Sequence, residues 1–157
     1  MLSEVEPMRS NSSIIDNIRK VAVAFAIINL IDSVVKETES NEAIFDLLKN
    51  ALLALNDTES DLPILWYFEI NLLRQTGFEI DIDKPEGMGK EKRLRGEALK
   101  LFKQLEDINL NEMKVEQFTR GTFKQMNRFF EKYFEYHIEG MKRTKALSFV
   151  NDLVHKN

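Results

Sequence analysis

The stretch Val21 to Ile31 constrains the fold more than any other part of the chain. Every position in it is apolar except Asn29, with Arg19 and Lys20 just before it and Asp32 just after. Crossing a bilayer takes about 20 apolar residues, so this stretch reads as a buried helix of a water-soluble fold. Ile14, Ile18, Val21, Phe25, Ile28, Ile31 and Val35 recur at three- and four-residue steps, and Ala22, Ala24, Ala26 and Ile27 fill the other side. A helix apolar nearly all round has to be enclosed by neighbours. The expectation is therefore a central helix ending near Val35. Asn11, Ser12 and Ser13 offer N-cap oxygens, and Asp16 suits the positive end of the helix dipole.

The same period continues downstream. Ser40 and Asn41 can cap a second helix whose apolar face is Ile44, Leu47, Leu48, Ala51, Leu52 and Leu55. A polar loop over Asn56 to Asp61 leads to Pro63, at home in the first turn of a third helix. That helix carries Ile64, Leu65, Phe68, Leu72 and Leu73, with Trp66 and Ile70 on other faces, and Gly77 as its C′ residue. Residues 77–90 hold three of the six glycines and one of the three prolines, and read as an irregular, flexible loop. A fourth helix points Leu94, Ala98, Leu101, Phe102 and Leu105 inward and Lys92, Arg93, Arg95, Lys100 and Lys103 largely outward. Asn109 to Val115 is a connector. A fifth helix starts near Gln117 to Thr122, bears Phe123, Met126, Phe130, Tyr133, Phe134 and His137 on one face, and stops at Gly140. A short last helix covers Lys145 to His155. The pattern is all-α: a compact bundle of five to six helices over residues 11–157, after a strand remnant or tail over 1–10.

Reactive chemistry finds little support. The chain has no cysteine, which excludes disulfides, thiol nucleophiles and Cys-ligated zinc. Its two histidines, His137 and His155, are too far apart for a His-based metal cage. His137 sits among Tyr133, Phe134 and Tyr136, as a core or half-buried histidine would. Asp81 and Asp83 lack the further oxygen ligands of a calcium loop. Gly87-Met88-Gly89-Lys90 lacks the full phosphate-loop pattern. The expectation is no enzyme, no metal and no cofactor.

Charge is the stronger signal. Residues 1–83 carry six basic and fifteen acidic side chains, and residues 84–157 carry sixteen and eleven, so a net charge of −4 divides into −9 and +5. Lys90, Lys92, Arg93 and Arg95, extended by Lys100 and Lys103, form the densest basic group; Lys142, Arg143 and Lys145 form a second. Such groups suit phosphates or an acidic peptide. Mutual attraction of the two halves, or plain solvation, would explain the pattern as well. Base stacking on the fifth helix is possible chemically, but the spacing of Phe123, Phe130 and Phe134 favours the core.

Several motifs resemble one family. Phe68-Glu69-Ile70-Asn71-Leu72-Leu73-Arg74-Gln75-Thr76-Gly77-Phe78 is similar to the F-E-x-x-L-L-x-x-x-G-Y/F signature of the bacterial recombination mediator RecO family. Tyr133-Phe134-Glu135-Tyr136-His137-Ile138 followed by Met141-Lys142-Arg143-Thr144 resembles that family's Y-x-x-Y/H-H-L…L-K-S stretch, and Leu2 to Leu55 resembles its exit from an OB-fold and its first two helices. The resemblance implies the C-terminal helical region of that family. The OB-fold would precede residue 1, outside this chain, and without cysteines no zinc site is carried over. Many members bind zinc through four cysteines where this chain has Glu79 to Lys90. What the resemblance implies is DNA repair and recombination without an enzymatic site: help with annealing and recombinase loading, a RecR-like partner subunit, and docking of the acidic, Phe-ending tail of single-strand-binding protein; the absence of cysteine points separately to the cytoplasm. Single-stranded DNA would bind weakly without the OB-fold, and no membrane is involved. The alternative is a generic helical adaptor that binds another protein and never meets DNA. A ligand-pocket transcription regulator would need a helix-turn-helix, and no convincing one is present.

Overall fold

The computed structural model describes residues 18–34, 41–113 and 117–138, and among these all regular structure is helical. Five α-helices follow one another: α1 (Ile18–Val34), α2 (Glu42–Asp57), α3 (Asp61–Gln75), α4 (Gly96–Asp107) and α5 (Arg120–His137), with 3₁₀ turns at Lys90–Lys92 and Leu110–Glu112. The expected strand remnant over 1–10, the caps Asn11, Ser12, Ser13 and Ser40, and the short last helix with its Gly140 break lie outside the described residues.

Local chemistry explains where the helices begin and end. The Asn41 side chain accepts the backbone N–H of Ile44 at 3.1 Å, filling one of the free donors of α2. Pro63 stands in the first turn of α3, where its missing N–H costs no bond. Gly77 takes φ +87° after the last residue of α3, and the N–H of Phe78 donates to Leu73 O at 2.8 Å. That is the Schellman closure of a helix end, in which glycine adopts the left-handed backbone without a Cβ penalty. Thr119 caps α5 by accepting the Thr122 N–H at 3.2 Å.

The central helix is α3, not α1. Ile64, Leu65, Trp66, Phe68, Ile70, Leu72 and Leu73 are all buried, so it is enclosed on every side, and it packs against α1, α2 and α4. The Trp66 indole N–H donates to Asn127 Oδ1 of α5 at 3.2 Å, which pairs an otherwise costly buried donor and ties α3 to α5.

α1 is not enclosed all round as expected: of the Ile14-to-Val35 row, Val21 and Ile31 are half-buried, and Ile14 and Val35, like Asp16, lie outside the described residues. Ile18, Phe25 and Ile28 are exposed at 56, 58 and 46 %, whereas Ala22, Val23, Ala26, Ile27 and Leu30 are buried. The reason is close packing. A helix with apolar residues all round offers two faces, and the alanine face lets its axis approach α3 closely and fill space to interior density. Val23, Ile27 and Leu30 fill the space beside the two alanines.

The segment after α3 is irregular but well packed, contrary to the expectation of simple flexibility. Ile80, Met88 and Leu94 are buried, and the Tyr133 hydroxyl shares its hydrogen between the carbonyls of Phe78 (2.9 Å) and Glu79 (3.2 Å). Burial pushes the Tyr133 phenol above its ordinary range. Gly87, at φ +80°, lies under the Tyr136 ring; a Cβ there would fall 2.6 Å from the ring. On the facing helix, Phe123, Met126, Phe129, Phe130, Tyr133 and Phe134 are buried, as the spacing of Phe123, Phe130 and Phe134 indicates.

Candidate anion-binding surface

The densest basic group does not lie along a helix. Lys90 to Lys92 form a 3₁₀ turn, Arg93 to Arg95 are extended, and α4 starts only at Gly96, whose φ is +57°. Sequence periodicity alone put Lys92, Arg93 and Arg95 on the fourth helix. Arg95 takes the extended backbone of an N-cap instead. Helical i to i+4 pairing therefore cannot neutralise these cations through Glu91 or Glu97.

Two contacts hold this segment along α5. The Arg95 backbone N–H donates to Gln125 Oε1 at 3.1 Å, and Gly87 abuts Tyr136. Residues 87–95 thus run antiparallel to α5, from its last turn back to its second. Lys90 and Arg95 are exposed and Lys92 and Arg93 half-buried. The Arg93 Nε is buried and has no hydrogen-bond partner among the described residues. Lys100 and Lys103 are exposed on α4, and Lys103 reaches Asp83 at 3.8 Å. With both side chains largely in water, that pair is worth about 0–1 kcal/mol and leaves the cation available. Lys142, Arg143 and Lys145 lie outside the described residues.

Glu97 is engaged in the fold. Its Oε1 accepts the Thr119 N–H at 2.7 Å and the Thr119 hydroxyl at 3.2 Å. The Thr119 backbone bond, helped by Thr122 and the Thr119 hydroxyl, holds the Glu97 carboxyl below its ordinary range. The carboxylate joins the start of α4 to the start of α5, so the two N-termini come together.

Sequence reasoning missed a second set of cations. Arg120, Lys124, Arg128 and Lys132 recur every four residues along α5, a spacing that places them in a slowly turning row. The first three are exposed; Lys132 is half-buried and lies 3.5 Å from Glu135. The signal was present as an i, i+4 repeat, but the aromatic face of the same helix dominated the reading. At the head of the row lies an open cleft of about 510 Å³, lined by Arg19, Leu62, Phe118, Arg120 and Phe123 among others. Arg19 also reaches Asp61 at 3.1 Å.

His137 is half-buried, 4.1 Å from the Tyr133 ring and 5.7 Å from that of Phe78, in keeping with a packing role. No group of three His, Asp or Glu side chains among the described residues is placed to hold a metal ion. No helix among them is long and apolar enough to cross a membrane.

Comparison with known proteins agrees with this architecture. The sequence model of the family described as "Recombination protein O C terminal" matches residues 15–95, just over half the chain. The match takes in α1 to α3 and the basic segment up to Arg95. The chain is also 26% identical over 150 residues to a protein of Christiangramia forsetii named "DNA repair protein RecO". That alignment covers 85% of this chain and 62% of the relative, so the chain spans about three fifths of the relative's length. No solved structure matches the chain.

Proposed function

Because this chain belongs to the Recombination protein O C-terminal family, we propose that it serves DNA repair by recombination, as the helical part of a mediator that binds rather than catalyses. The observation that carries this reading is the family match itself, which ends within the basic segment that α5 supports. The proposed site comprises Lys90, Lys92, Arg93, Arg95, Lys100 and Lys103, with Lys142, Arg143 and Lys145 as a further group. Its ligands are anionic: the phosphate backbone of single-stranded DNA, and the acidic, Phe-ending tail of single-strand-binding protein. A RecR-like subunit is the proposed companion, and the cytoplasm the proposed compartment.

The chemistry of the segment suits both ligands. Lys90 and Arg95 are exposed, and Lys92 and Arg93 are half-buried beside them. Tyr136 is 61 % exposed over Gly87 beside these cations and offers an aromatic ring for an apolar tail residue. Charged ligands recognised this way bind faster and tighter at low salt.

The test is the triple reversal Lys92→Glu, Arg93→Glu and Arg95→Glu. Binding of an oligonucleotide and of an acidic, Phe-ending peptide should each weaken at least tenfold, while helical circular dichroism stays unchanged. Unaltered binding of both would remove the assignment.

A second reading, a helical protein–protein adaptor without DNA contact, is favoured by one observation. Ile18, Phe25 and Ile28 form an exposed apolar row on α1, which suits a protein partner better than a polyanion. Tight peptide or protein binding with no measurable oligonucleotide binding would decide for it.

A further inference from the structure

We infer that a single nucleic-acid strand lies along α5, its phosphates on Arg120, Lys124 and Arg128, with one base entering the cleft at the head of that helix. This rests on the proposed nucleic-acid role and adds to it a second strip of surface, outside the residues that the family match covers.

Three observations carry it. The first is the row. Gln117 to Phe130 contains three cations and no acidic residue. The helix rises about 1.5 Å per residue, so the cations follow one another at about 6 Å steps along one side. A single line of charges at that spacing matches the backbone of one strand better than a compact anion.

The second is a local conflict in the sequence. The first turn of α5 has no acidic residue, and its first position is Arg120. A cation beside a helix N-terminus opposes the dipole. The Glu97 carboxylate of α4, on the Thr119 N–H, supplies the negative charge that this turn lacks in its own sequence, and a residue that breaks a local rule marks a candidate functional surface. The Arg120 side chain makes no salt bridge among the described residues.

The third is the cleft. It joins the row at Arg120, is open to solvent, and at about 510 Å³ is roomy enough for a nucleotide. Phe118 is half-buried and lines it, so a ring is within reach of a base, and Arg19 and Arg120 line it as well. Aromatic side chains with flanking cations are how strands are held without sequence preference. The basic segment at Lys90 to Arg95 lies beside the second to last turns of the same helix, so a strand following α5 meets both groups of cations.

The chain carries its own reporter. Trp66 is the one tryptophan, and its ring lies 5.2 Å from that of Phe118. The experiment titrates labelled oligo-dT, and an abasic oligomer of equal length, into the full chain and into the variant Arg120→Glu/Lys124→Glu/Arg128→Glu. Anisotropy follows binding, and Trp66 fluorescence follows the cleft. The three side chains are exposed, so the variant should keep the helical spectrum and melting midpoint; Arg120→Gln/Lys124→Gln/Arg128→Gln should show a smaller loss in the same sense. Oligo-dT should perturb Trp66 where the abasic oligomer does not. The Glu variant should lose at least tenfold in affinity. Its plot of log affinity against log salt should flatten by about 2, the value for three phosphate contacts on a single strand. Wild-type binding that the variant retains in full, with Trp66 silent, would overturn this inference and leave the surface at Lys90 to Lys103 standing. Absence of any oligonucleotide binding would overturn both. A Trp66 response to an acidic peptide but not to oligo-dT would assign the cleft to a peptide instead.

Discussion

Phe102→Ala should lower the stability of this chain by about 3–5 kcal/mol, the usual cost of emptying a phenyl-sized core site. Phe102 is fully buried on α4 and meets Phe129 edge-on at 5.9 Å and Phe130 at 6.2 Å, both on α5. α4 is short, and its grip on the bundle consists of Ala98, Leu101, Phe102 and Leu105. Losing the largest of these removes both the transfer energy and the edge-to-face contact with Phe129, worth about 0.5–1.5 kcal/mol beyond area. For a domain of this size each kcal/mol moves the melting midpoint by about 2–4 °C, so calorimetry should find a drop of about 10 °C. A shift below about 3 °C would mean that α4 is not held by this cluster. The effect should reach the proposed site too, because Arg95 forms the N-cap of α4.

Ala26→Leu should cost about 1–3 kcal/mol, whereas Phe25→Ala should stay within about 0.5 kcal/mol of wild type. The inequality runs against intuition, since the second change deletes a ring and the first adds only methylene groups. Ala26 is fully buried where α1 meets the bundle, and extra volume there forces the helix outward or its neighbours off their rotamers. Phe25 is 58 % exposed and surrenders little buried area. Urea unfolding of both variants decides the orientation of α1. Equal destabilisation, or a larger loss for Phe25→Ala, would put the phenyl face inward.

These two positions show what the sequence makes legible. Where one stripe is apolar and the other polar, as on α4 and α5, the period identifies the buried face, and Leu101, Phe102, Phe130 and Phe134 are all inside. Where both stripes are apolar, as on α1, periodicity is degenerate and packing distance decides. That choice is made by the neighbours of α1 and is not written in α1 itself. The same degeneracy hides the centre of the fold. α3 carries buried Trp66 and Ile70 together with its main stripe, and only three-dimensional enclosure distinguishes it from α1.

Caps were readable because they are local. Asn41, Pro63 and Gly77 each do what their chemistry suggests. The basic segment was readable as composition and not as shape. Gly96 and the extended Arg95 take Lys90 to Arg95 out of the helix, and the contact that then seats them, Arg95 to Gln125, spans thirty residues. No local pattern encodes it. The row on α5 was present as a four-residue repeat in plain view, masked by the aromatic stripe it shares a helix with. The cleft beside it needs α1, α3 and α5 together, so no reading of one segment at a time could find it.

The central claim is that this bundle presents cations for a nucleic-acid backbone. It is tested most directly by measuring the affinity of the full chain for oligo-dT from low to high salt. The account predicts a straight fall of log affinity with log salt, steep enough to report several phosphate contacts at about 0.7 per contact. Binding that is absent at low salt, or indifferent to salt throughout, would contradict it.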